Sequence, residues 1–168
     1  MRFESFAYDT SGWGNFFVAE VGASAALAGL LFVAVSISLS KVLSVPYLPN
    51  RALGALVLLF QALLIASCGL VPGESIALLG GEIGAIGVVT WLVLIWIQRG
   101  NAHHPSVPKQ WFYIRLIGSQ LATLPMLIAA GSLLAGRGGG LYWVVPGMAF
   151  SLLAAIFNAW VLLVEIHR

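Results

Sequence analysis

Apolar residues run through this chain in five long blocks, at 16–43, 52–71, 76–97, 111–135 and 142–166, separated by short stretches rich in proline and glycine. Each block matches the roughly 20 residues that a helix needs to cross about 30 Å of hydrocarbon. None alternates apolar and polar positions over about ten residues as a barrel strand does. Helix is therefore the predicted conformation, because it satisfies its own backbone hydrogen bonds in lipid. The breaks fall at Pro46 and Pro49, at Pro72 with Gly73, at Pro105 with Pro108, and at the glycines from Gly138 to Gly140. The expected fold is an all-α membrane protein, a single transmembrane domain over residues 1–168 with five helices in one bundle. The link at Pro72, Gly73 and Glu74 is short, so residues 52–97 read either as two full spans or as a re-entrant hairpin. Pro125 removes an amide donor inside the fourth block and predicts a kink there, with Gln120 and Thr123 within a turn to supply hydrogen bonds.

Composition removes the soluble alternative. Of 168 residues 60% are hydrophobic and 8% charged, where a soluble domain carries about a quarter charged residues. The net charge of +2 comes from eight scattered basic residues, which form no clustered footprint for nucleic acid. The bilayer is the expected partner. Five crossings put Lys41, Arg51, Arg99, Lys109, Arg115 and Arg168 on one side and only Arg2 and Arg137 on the other. By the positive-inside rule the carboxyl terminus is expected in the cytoplasm and the amino terminus outside. Trp13, Phe16, Tyr142 and Trp143 then mark the outer interface, and Tyr47, Trp96, Trp111 and Tyr113 the inner one. Residues 1–15 lack a basic start and a short apolar centre, so the first block is expected to act as its own uncleaved insertion signal. That block, FFVAEVGASAALAGLLFVAVSISLSKVL, resembles small bacterial integral membrane proteins. The likeness covers one span, implies a bacterial inner membrane, and carries no residue role.

The chain offers no residues to assign as catalytic, cofactor-binding or metal-binding. His103, His104 and His167 fall in loops or at the terminus, so no pair of span histidines ligates a haem. The single cysteine, Cys68, makes no intramolecular disulfide and holds no metal cluster. Serines are frequent, but no span carries a histidine or lysine to activate one. An enzyme is not expected, nor is a cofactor.

Carboxylates are the informative feature, because Glu4, Asp9, Glu20, Glu74 and Glu82 all fall on the predicted outer side and only Glu165 inside. Glu20 and Glu82 enter their spans at similar depth, so they either share one site or, lying close to the interface, snorkel toward water and cap backbone groups. Ser24 lies on the same helical face as Glu20. Deeper in stand Gln61, Gln120 and Asn158, which either bond helices together or line a polar passage with the acids. Arg115 and Glu165, both near the cytoplasmic ends of their spans, are expected to form an ion pair. Gly80 with Gly84, and in the first span Gly22 with Ala26 and Ala25 with Gly29, have the four-residue spacing that lets helix backbones approach closely.

Two functions fit this pattern. One is a channel or transporter for protons or small cations, built as a homo-oligomer because one small bundle is too narrow for a wide pore. The other is a non-transporting membrane scaffold or assembly factor, in which the same polar groups only lock helices together.

Overall fold

The computed structural model describes residues 6–45, 47–102 and 109–166. Among them the long elements are all helices and there is no strand. They are α1 (Gly14–Ile37), α2 (Leu39–Ser44), α3 (Leu48–Cys68), α4 (Ile76–Ala102), α5 (Lys109–Ala135) and α6 (Val144–Ile166), with 3-10 turns at Thr10–Gly12 and Gly140–Trp143. Five of these helices are long and apolar enough to cross a membrane, as a multi-pass membrane protein requires. Both arms of the questioned hairpin, α3 and α4, are among the five.

The helix boundaries depart from the blocks in several places. The first block breaks at Ser38, whose φ of −106° and ψ of 18° leave the helical region, and the chain resumes as the six-residue α2. Serines at 36, 38 and 40 crowd this stretch, and the Ser36 hydroxyl bonds back to the Phe32 carbonyl at 2.8 Å, the kind of local bond that weakens a helix. Val42 of α2 then folds onto Leu48 and Ala52, starting a small core of its own. Helix α3 begins at Leu48 because Pro49 sits in its first turn, where a missing N–H costs nothing. Helix α6 begins at Val144, after the 3-10 turn. Helix α5 runs through Pro125 without interruption. There Thr123 donates to the Ser119 carbonyl at 2.8 Å and Gln120 turns to another helix, so neither bonds the carbonyl of Leu121.

Helices α3, α4, α5 and α6 form a ring, each packing on the next and α6 closing back on α3, while α1 lies outside against α3 and α6. Burial follows this order. Eleven of the 21 residues of α3 are buried, whereas α1 buries only Phe17, Ser24, Ala28 and Leu31, a single narrow stripe. One apolar core, around Phe17, Ile65, Leu79, Ile83, Met126 and Met148, fills the half that holds the acids. A second, around Leu31, Leu58, Leu59, Leu94 and Ala155, fills the opposite half.

The acidic end is closed by a hydrogen-bonded cap. Ser132 Oγ donates to the Arg137 carbonyl at 2.7 Å and accepts the Gly140 N–H at 2.7 Å. With its proton so used, it accepts from the Tyr8 hydroxyl at 3.3 Å, which in turn receives the Gly139 N–H at 3.2 Å. The amino-terminal segment is thus tied to the loop between α5 and α6. Trp13 completes the cap, donating to the Phe6 carbonyl at 2.8 Å and meeting Tyr142 edge-on at 5.2 Å.

Candidate functional site

The structure does not bring Glu20 and Glu82 together. Helix α1 packs on α3 and α6, and α4 on α3 and α5, so equal depth does not make the two acids neighbours. No other described carboxylate acts on Glu20, whose Oε2 is buried without a hydrogen-bond partner. Glu82 instead meets Glu74, from the loop before α4, within hydrogen-bonding reach, and the Cys68 thiol at the end of α3 reaches it as well. Burial pushes the Glu74 carboxyl up from its ordinary range, helped by Glu82 beside it. One oxygen of each acid, Oε2, is buried and unbonded. Among the described residues no group of acids, cysteines and histidines has the arrangement of a metal site.

The deeper polar residues are each held by a hydrogen bond to protein. Ser24, fully buried, donates to the Glu20 carbonyl of its own helix at 2.6 Å. Gln61 crosses the middle of the ring, its Nε2 donating to the Ala122 carbonyl of α5 and to Ser151 Oγ of α6, both at 3.2 Å. Gln120 accepts from Trp91 Nε1 at 3.0 Å, joining α5 to α4. Asn158 donates to the Ala154 carbonyl one turn back at 2.8 Å.

The glycines divide between two surroundings. A Cβ on Gly80 would stand 3.0 Å from Leu133 Cβ, and one on Gly84 would stand 3.3 Å from Ala130 Cβ, so both serve the close approach of α4 to α5. Gly87 continues that seam against Leu127 at 3.0 Å. Gly22 and Gly29 have nothing within 4 Å and make no packing contact inside this chain.

At the basic end the four ring helices leave a cavity of about 280 Å3. Gly54 and Leu58 of α3, Leu94 and Gln98 of α4, Arg115 and Ser119 of α5, and Phe157 and Asn158 of α6 line it. Gln98 donates to Ser119 Oγ at 2.8 Å, and Ser119 passes its own proton to the Leu116 carbonyl at 2.8 Å. Arg115 stands close enough to Arg51 for the two charges to repel. The side chain of Glu165 lies outside the described residues, as do His103, His104 and His167, so the expected pair with Arg115 falls there too. Sequence reasoning missed Gln98 and Ser119. The available signal was their level, since Gln98, Arg115 and Asn158 all lie toward the same end of the bundle, four, six and eight residues from the ends of their helices.

Compared with protein-family models, curated proteins and solved structures, the chain matches none of them.

Proposed function

We propose that this chain is a non-enzymatic, non-transporting membrane scaffold or assembly factor, and that it sits in a bacterial inner membrane with its amino terminus outside and its carboxyl terminus in the cytoplasm. The observation that carries this reading is the clasp of Gln61. A proton or cation crossing one copy has to pass the layer in which Gln61 bridges three helices, and apolar cores fill the bundle on both sides of it. Trp91 with Gln120 and Gln98 with Ser119 lace the α4–α5 seam in the same way. Interhelical bonds of this kind are worth about 1 kcal/mol each and fix register. The basic residues of the cytoplasmic end then face anionic lipid or a soluble partner. Self-association, if it occurs, has the lipid-facing side of α1 available, where Gly22 and Gly29 lie open.

Flux through proteoliposomes tests the reading against ion passage. Purified protein should conduct protons, Na+ and K+ no faster than empty vesicles, and Glu82→Gln should leave that baseline unchanged. Protein-dependent flux that Glu82→Gln abolishes would establish the channel instead.

A further inference from the structure

Helix locking does not account for the cavity at the basic end. Its polar groups share one level in the membrane. Gln98 stands four residues before the end of α4, Arg115 six after the start of α5, and Asn158 eight before the end of α6. At 1.5 Å per residue they lie about 6 to 12 Å inside those helix ends, a depth from which a long arginine side chain still reaches the headgroup region. On the outer face of the bundle the cavity is bordered by Ile114 and Leu153, which are 48% and 60% exposed, so it opens sideways toward lipid between α5 and α6.

The hydrogen bonds fix what the cavity lacks. Ser119 gives its proton to a carbonyl and can only accept from Gln98, so the amide nitrogen of Gln98 is committed and its oxygen is left over. Asn158 must likewise present its nitrogen to the Ala154 carbonyl. Gln98 Oε1 and Asn158 Oδ1 are both buried without a partner, and Gln98 is only 8% exposed. Buried acceptors left in this state require a donor. Beside them stands Arg115, to which the structure gives neither a hydrogen bond nor an ion pair among the described residues, and no described acid lines the cavity. The complement to this set is an anion that also carries hydroxyl donors and an apolar tail.

We propose that the cavity binds the headgroup of an anionic phospholipid with free hydroxyls, of which phosphatidylglycerol is the simplest. The phosphodiester pairs with the Arg115 guanidinium, a geometry suited to phosphate oxygens. The glycerol hydroxyls donate to Gln98 Oε1 and Asn158 Oδ1. An acyl chain follows Phe157, Leu153 and Phe150 toward the bilayer centre. The volume of about 280 Å3 suits a headgroup, being at the small end of the range for ligand pockets.

Native mass spectrometry of the purified protein, released from detergent in the presence of defined lipids, tests this. Phosphatidylglycerol should be retained about tenfold better than phosphatidylcholine or phosphatidylethanolamine, because all three carry the phosphodiester but the headgroup cation of the other two is repelled by Arg115 and the neighbouring Arg51. Arg115→Gln and Gln98→Leu should each remove that preference, and Arg115→Lys should keep part of it. Asn158→Leu provides an independent removal of one acceptor should Arg115→Gln fail to fold, with thermal melts in detergent identifying folded variants. Equal retention of the three lipids, or an unchanged preference in folded Arg115→Gln or Asn158→Leu, overturns the proposal. So does displacement of phosphatidylglycerol by glycerol phosphate at equal concentration, which would make the site one for a soluble anion. Lipid retention is read without ion flux, so its outcome is separate from that of the scaffold reading.

Discussion

Gly140 illustrates how strictly single residues are specified at the capped end. Its φ of +50° lies in the left-handed region, and a Cβ there would run into the carbonyl of Ala7. An L-residue in that conformation costs about 1–2 kcal/mol, and the collision adds to it. Gly140→Ala should therefore lower stability by about 2 kcal/mol or more, measured as a fall in thermal midpoint in detergent. Gly136→Ala is the matched control, because its φ is +64° but nothing lies within 4 Å of the added methyl; it should show the conformational cost of about 1–2 kcal/mol alone. Equal losses in the two variants would mean that the amino-terminal segment does not dock on this loop.

The helices differ in how much of their small-residue surface the chain itself uses. On α4 the approach to α5 leaves Gly84 only 3.3 Å, from its added Cβ to Ala130 Cβ, so Gly84→Leu must force the pair apart. Overpacking of this kind costs about 1–3 kcal/mol, visible as an earlier thermal transition. Gly22→Leu on α1 projects into open space and should leave the melting of the isolated chain unchanged. A drop in particle size for Gly22→Leu in mild detergent, with normal melting, would identify α1 as a contact between copies. The spacing of small residues is the same in both helices, which is why sequence pattern alone did not separate them. Only Gly84 has a neighbouring helix at close range, and that neighbour is set by the ring.

At the scale of the whole molecule, the proposed orientation follows from charge bias. Exposed residues at the two ends provide the test: Arg137 beyond α5 and Arg99 in the last turn of α4. In a chain with Cys68→Ala, Arg137→Cys should react with an impermeant thiol reagent applied outside intact cells. Arg99→Cys should react only after permeabilisation. The reverse pattern would place the acids in the cytoplasm and move the proposed lipid site to the outer leaflet.

Length, apolar blocks and scarcity of charge were enough to determine five helices suited to crossing a membrane, because the cost of an unpaired backbone group in lipid leaves few other conformations. The same information located most boundaries to within a few residues. It missed the break at Ser38, where competing serine hydrogen bonds and the pull of Val42 onto α3 outweigh apolar continuity. What the tertiary structure alone decided was adjacency. Helices solvated by lipid carry little record of which face meets which neighbour, since lipid and protein interior are almost equally apolar. Glu82 therefore reads from sequence as a partner for Glu20, and only the ring order gives it to Glu74 and Cys68. For the same reason Gln98, Arg115 and Asn158, spread over three helices, become one site only when α4, α5 and α6 are brought around a common cavity.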